Sequence, residues 1–190
     1  EQGQQFYDVT PIRKTSTNSI TFAATNGSST ITVTDSNHQA VQNDFVTLSG
    51  AVSLGGNITA AVLNQEYQID SVPTASTYTI TAKDTSGATV TANASDSGNG
   101  GSSGSGVYQI NVGLDTGVGG TGWGAGTWGR GGWGSAATQT VTTQLRIWSH
   151  DNFGEDLLIN PRDAGIFLWD KSNALTTRAV NIVDIAGALN

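Results

Sequence analysis

Ser29-Thr30-Ile31-Thr32-Val33-Thr34 puts a β-branched apolar residue at every second position, with hydroxyl residues between them. A period of two with β-branched residues is the pattern of a strand with one buried face. Upstream, Ile20-Thr21-Phe22-Ala23 alternates large apolar and small residues, and Asn26-Gly27 stands between the two runs as a hairpin turn. Downstream, strands are expected at 44–48, 66–72 and 77–82, with a weaker one at 89–92. Ser49-Gly50, Gly55-Gly56-Asn57, Pro73-Thr74-Ala75-Ser76 and Ser86-Gly87 supply the turns between them. Helical periodicity is nearly absent, with Ala60-Ala61-Val62-Leu63-Asn64 a candidate short turn. The fold class is therefore all-β, and short strands at regular turn spacing argue for a small β-sandwich or barrel.

The rest of the chain continues in the same style. Tyr108-Gln109-Ile110-Asn111-Val112 and Gln144-Leu145-Arg146-Ile147-Trp148-Ser149 both alternate. Runs at 157–161 and 165–170 read as two strands joined by a turn at Pro161-Arg162-Asp163, and 179–185 as a strand or an extended linker. Residues 98–106 are dominated by glycine and serine and read as a hinge or loop. Four zones follow: a leading strand in 1–16, a Thr/Ser/Val/Ile-rich module over 17–98, a Gly/Ser and Trp-Gly region with one strand over 99–143, and further strands over 144–190.

Composition narrows the function classes. Of the 190 residues, 12% are charged, about half of the ~25% usual for soluble domains. The polar surface is built mainly from Ser, Thr, Asn and Gln, so subunits can pack with little charge desolvation. The formal net charge is −7 with eight Lys and Arg in all. Binding to a phosphate backbone needs clustered cations, and none cluster here, so no nucleic-acid partner is expected. Cysteine is absent, which removes disulfides, thiolate metal sites and thiol nucleophiles. No run reaches 18 apolar residues and no signal-like stretch opens the chain, so no membrane span is expected. Methionine is absent even from position 1, where Glu1 stands. Either the N-terminus is processed or the sequence is a segment of something longer, and the strand-like opening favours the segment.

Trp123, Trp128 and Trp133 recur every five residues inside the glycine-rich run 122–134. Five matches neither the strand nor the helix period. Glycines permit an irregular path, and each indole can bury on the order of 150–250 Å² while offering its N–H to a partner. Packing over a β core, a subunit contact, or stacking on sugar rings are the three uses such a row can have. Exposed indoles invite aggregation, which favours packing or subunit contact.

Catalytic patterns are missing. His150 and Asp151 are sequence neighbours and would point to opposite faces of a strand. No Gly-x-Ser-x-Gly elbow occurs. The glycines of 117–122 lead into more glycine and tryptophan instead of a helix, so they make no dinucleotide fingerprint. Asp151, Glu155, Asp156, Asp163 and Asp170 gather late in the chain. Paired carboxylates can cleave glycosides or hold calcium, but the EF-loop spacing is absent. Such acids more often cap turns, face solvent or pair with bases such as Arg146 and Arg162. No enzyme activity, cofactor or metal is expected.

Three stretches together resemble a family. Phe6-Tyr7-Asp8-Val9-Thr10-Pro11-Ile12-Arg13, the 122–134 Trp-Gly run, and Leu145-Arg146-Ile147-Trp148-Ser149-His150-Asp151-Asn152-Phe153-Gly154-Glu155-Asp156-Leu157-Leu158 are similar to bacteriophage virion structural proteins. Pro161-Arg162 and Gly165-Ile166-Phe167-Leu168-Trp169-Asp170 continue the match. The resemblance is to tail components of the β-propeller nozzle or tail-stabilisation type, and 17–98 resembles an inserted FCCH-like small β module. It implies a small β module set into a propeller-like β segment, with 151–157 opening one strand of a blade and 166–170 forming the next. It also implies a location in the virion tail, outside the cell, and partners that are other virion proteins or copies of the same chain. A whole propeller needs several four-stranded blades, so this length would supply one or two and would assemble with more. On this reading Trp123, Trp128 and Trp133 are packing or interface anchors, while Trp148, Phe153 and Trp169 sit in the propeller-like core. The alternative is a β module of a tail protein or adhesin that recognises a host glycan.

Overall fold

The computed structural model describes residues 7–113, 146–162 and 164–187. Among these, the strands are β1 (Ile12–Ala24), β2 (Thr30–Thr34), β3 (Phe45–Ser49), β4 (Glu66–Gln68), β5 (Ser71–Thr74), β6 (Thr77–Thr81), β7 (Gly104–Gln109), β8 (Trp148–Phe153), β9 (Asp156–Pro161), β10 (Phe167–Trp169) and β11 (Val180–Asn181). Two short helices, α1 (Ala60–Leu63) and α2 (Ile182–Gly187), complete the described elements. The chain is all-β. Its strands form one hydrogen-bonded network, in the order β4-β3-β7-β1-β11-β10-β9-β8, with β2, β6 and β5 branching from β1.

The branch exists because β1 serves two sheets. Its first part pairs antiparallel with β7, from Ile12↔Gln109 to Ile20↔Gly104. Its last part pairs with β2, from Thr21↔Thr34 to Ala24↔Ile31. The register shifts between Ser16 and Ile20, where Asn18 takes φ 55° and its N–H donates to Ser105 Oγ at 3.0 Å. Such a bulge bends a strand and raises its twist, which is how one strand can turn a corner between sheets.

Alternation then fills the space between the sheets. Phe22, Val33 and Tyr78 lie side by side across β1, β2 and β6, as do Ala24, Ile31 and Ile80. Val46, Tyr67 and Tyr108 align across β3, β4 and β7. The large side chains of both sets are buried in one core with Leu54, Ile58 and Leu63. The Tyr78 and Tyr108 rings meet edge-on at 5.8 Å, so the two sheets face each other there.

Several sequence expectations change. The Gly/Ser run 98–106 is not simply a loop, since Gly104 begins β7, which lies between β3 and β1. Glycine is required there by close approach. A Cβ on Gly104 would run into the Ile20 carbonyl oxygen, and one on Gly106 would sit 2.7 Å from Ile20 Cδ1. Residues 89–92 make only an isolated bridge, Lys83↔Thr89. At 179–185 a two-residue strand gives way to α2. The boundary drawn between 16 and 17 falls inside β1. The expected helical turn at 60–64 is α1, capped by Thr59 Oγ1 accepting from the Val62 N–H.

Loops on this core are fixed by buried carboxylates. Asp96 accepts from the N–H groups of Gly56, Asn57, Ile58 and Asn93 at 2.7–3.1 Å. Burial alone would raise its pKa; the four donors outweigh that and hold it below the ordinary carboxylate value. Asp44 accepts from Arg13 Nε at 2.5 Å, from Val41 N–H and from Asn111 N–H. Asp96→Ala would leave four donors without an acceptor and should cost about 3 kcal/mol in urea unfolding. Because the folded-state carboxyl is depressed, its stabilisation is present above the ordinary carboxylate range and is lost as pH falls through the folded value. Asp96→Asn should therefore show a flatter loss of stability in acid than the parent chain.

Candidate functional site, an open-edged meander

Strands β8, β9, β10 and β11 follow one another as an antiparallel meander. Its hairpin turn between β8 and β9 uses Gly154 at φ 69°. One face carries Ile159 paired with Phe167, and Leu157 paired with Trp169. That face closes a second core with Ile110, Ala164 and Ala179, against which Val9 and Trp148 also pack. Tethers hold it to the first core. Ile12 N–H donates to Ala179 O at 2.9 Å. Arg178 donates to Thr10 O and Gln109 Oε1 and pairs with Asp8 at 2.9 Å.

The other face is open. Leu158, Leu168 and Val180 are cross-strand neighbours on it, and Leu158 and Leu168 are half-buried while Val180 is exposed. α2 stands beside the far end, where Asp184 and Ile185 line a groove with Ile12 and Val180. Among the described residues β8 pairs only with β9, so no described strand completes its outer ladder. Five of its six residues are exposed.

The aromatic residues named from sequence separate. Trp148 is half-buried with Nε1 donating to Val112 O at 3.3 Å, and Trp169 Nε1 donates to Thr177 O at 2.9 Å. Phe153, expected in the same core, is instead 68% exposed. It lies five positions from Trp148, an odd offset that puts it on the opposite face of the strand. Trp123, Trp128 and Trp133 lie outside the described residues. Residues 151–157 do not open a single strand: they contain the β8–β9 hairpin turn.

The late acids are dispersed into local contacts. Glu155 pairs with Lys171 at 2.9 Å, and Asp156 Oδ1 accepts from Lys171 N–H. Asp170 Oδ1 accepts from the N–H and hydroxyl of Ser172, which lowers its pKa. Asp151 caps the N–H of Asn152; Asp163 is outside the described residues. Arg146 donates to Arg162 O. Among the described residues no three His, Cys, Asp or Glu converge to hold a metal ion, and no helix is long and apolar enough to cross a membrane.

Sequence reasoning did not find the polar cluster inside the first core. Tyr108 donates to Asp35 Oδ2 at 2.6 Å and lies 3.3 Å from the Tyr78 hydroxyl. Ser19 donates to Asp35 Oδ1, and Lys14 Nζ stands 3.8 Å from it. His38 Nδ1 accepts from Ala40 N–H while Nε2 bonds Thr74 O, which assigns the Nε2–H tautomer. Burial pushes both tyrosine hydroxyls well above their ordinary range, with Asp35 adding to the shift. Asp35, His38, Tyr78 and Tyr108 are buried, so these four brace the sheets out of reach of a substrate. The signal available was weak, since Asp35 and Tyr108 are 73 residues apart.

No protein-family model, curated protein or solved structure matches the chain. The meander is therefore the candidate site on its own geometry. The polar cluster is expected to act on stability alone. Tyr108→Phe should lower unfolding free energy by about 1–2 kcal/mol, because Asp35 loses a buried donor, while native mass by light scattering stays that of the parent.

Proposed function

We propose that this chain is a non-enzymatic virion structural protein, a component of a phage tail that works by assembling with copies of itself or with other virion proteins. The observation that carries the reading is the outer ladder of β8, unpaired among the described residues, beside the half-open apolar face of Leu158, Leu168 and Val180. Unpaired strand edges are templates for pairing with another chain. Four sequential antiparallel strands are also the plan of a propeller blade. A blade buries both faces against its neighbours, and the open face here is what a missing neighbour would cover. The low charge of the surface fits the same use. The resemblance of 145–158 and 165–170 to tail components supplies the virion setting.

The test is native mass by light scattering together with electron micrographs of the purified chain. Rings or filaments of defined size are expected. Phe153→Lys should reduce them while leaving stability within about 0.5 kcal/mol of the parent, because the side chain is solvent-exposed. A chain that stays monomeric at every concentration overturns self-assembly.

A host-glycan site is the second reading. It is favoured by an apolar groove of about 260 Å³ on the core-facing side of the meander, lined by Val9, Trp148, His150, Leu157 and Ile159 among others. Aromatic and apolar walls with a few polar groups suit a sugar ring. Tryptophan fluorescence quenched by a sugar, and insensitive to it in Trp148→Leu, would support this reading; no response across a glycan panel would sink it.

A further inference from the structure

The chain contains two Asn-Gly dipeptides, Asn26-Gly27 and Asn99-Gly100. In such a pair the glycine nitrogen meets little steric hindrance in attacking the asparagine's own side-chain carbonyl carbon. The fold treats the two differently. The Gly27 N–H donates to Ala92 O at 2.9 Å, and the Ser28 N–H closes the turn on Thr25 O. That nitrogen must break a bond before it can react, which requires a local opening. The Gly100 N–H has no hydrogen-bond acceptor among the described residues. Asn99 is exposed, and its Oδ1 accepts from the Gly101 N–H at 3.1 Å. This Asx turn folds the side-chain amide back over the following peptide and polarises the carbonyl that would be attacked.

We propose that Asn99 is a modification site, at which the folded chain deamidates spontaneously with water as the only co-reactant. Gly100 itself is buried beside the Phe22 ring, so base from solution must reach its N–H there; it removes the amide proton, and the nitrogen forms a bond to Asn99 Cγ. The Cγ–Nδ2 bond breaks and ammonia leaves, giving a five-membered succinimide. Water then opens the ring at Cγ to give aspartate, or at the backbone carbonyl to give isoaspartate. The sum is one amide and one water converted to one carboxylic acid and one ammonia.

The position matters because the loop holds two segments, around Phe22 and around Val52 to Leu54, through three hydrogen bonds. Asn99 O accepts from Phe22 N–H at 2.9 Å, Gly98 N–H donates to Leu54 O at 2.7 Å, and Gly100 O accepts from Val52 N–H at 2.9 Å. Isoaspartate adds a methylene to the backbone between those bonds, so they can no longer all form in register. The Phe22 ring also fills the space where a Cβ on Gly100 would stand, leaving the loop little room to adjust. Conversion therefore loosens the first core from its edge. This proposal is independent of the assembly role.

The full chain is incubated natively at mildly alkaline pH in ¹⁸O-labelled water, and in parallel in urea, then digested and read by mass spectrometry. In the native sample, conversion at Asn99 should outpace conversion at Asn26 several-fold, with label in the new carboxyl group. In urea the two rates should become comparable. Equal or faster conversion at Asn26 in the native chain overturns the proposal, and so does a preference for Asn99 that persists in urea. Aged parent protein should melt lower than fresh protein, whereas Asn99→Ser should not change on ageing. An unchanged melting temperature in fully converted chain would overturn the loosening.

Discussion

One strand has to belong to two sheets, and most of the fold follows from how β1 does it. Gly104 and Gly106 of β7 let that strand come up against Ile20, at the point where β1 bends away toward β2. A side chain at Gly104 would hold the strands apart, and one at Gly106 would crowd the end of the Ile20 side chain. The bend would then open and Phe22 would lose its place beside Val33. The same approach sets the height of Tyr108, two residues further along β7, whose hydroxyl reaches Asp35 just beyond β2. The Asn18 bulge supplies the turn of the chain, and the glycines supply the room. Neither suffices alone, because a bend with bulky neighbours would leave a gap in the core, and gaps there cost stability roughly in proportion to their volume.

How much of this was legible in the sequence depends on whether the information is local. Ile31 and Val33, or Tyr78 and Ile80, announce their strands by alternation, and alternation survives any tertiary arrangement that buries one face. Gly104-Ser105-Gly106 could not announce β7, because their composition is that of a linker and the reason for it is the proximity of Ile20, more than eighty residues away in the chain. The run 179–185 is ambiguous for a different cause. Its apolar residues fit a strand, but only two residues find a ladder partner in β10 or β1 before the chain turns into α2. At the meander, the strands over 157–161 and 165–170 were readable, whereas the exposure of Phe153 depended on where β8 begins. Starting at Trp148, the period of two leaves Phe153 facing outward. Asp96 gave no signal at all, since four backbone donors converging on one carboxylate come from loops that have no pattern.

The few cations are largely spent inside the molecule. Arg13 pairs with Asp44, Lys14 donates to the carbonyls of Ser36 and Asn37, Lys83 sits 5.2 Å over the Tyr67 ring, Lys171 pairs with Glu155 and Arg178 with Asp8. What the surface presents is hydroxyl and amide groups with an acidic balance. Such a surface lacks the dense fixed charges that hold phosphate, and it costs little to desolvate against another surface of the same kind. Contact by packing and ladder completion is the interaction this chemistry suits.

The three sheet edges among the described residues decide where such a contact would fall. β4 ends one side and is three residues long, with Glu66 at its start. β5 ends the branch and carries Pro73, in the middle of a register shift against β6. Shortness, charge, proline and irregular register are the ways natural sheets discourage pairing at an edge. β8 shows none of the structural devices: it is six residues long, contains no proline and keeps an unbroken register with β9 from Trp148↔Pro161 to Phe153↔Asp156. Its one charged side chain, Asp151, lies on the face shared with Leu158, so it borders the open apolar surface without interrupting the ladder. Two of these edges are blunted, while the longest and most regular, β8, has no strand paired along its outer side among the described residues; the devices that discourage pairing are thus unevenly distributed, and β8 is the edge whose geometry best suits another strand.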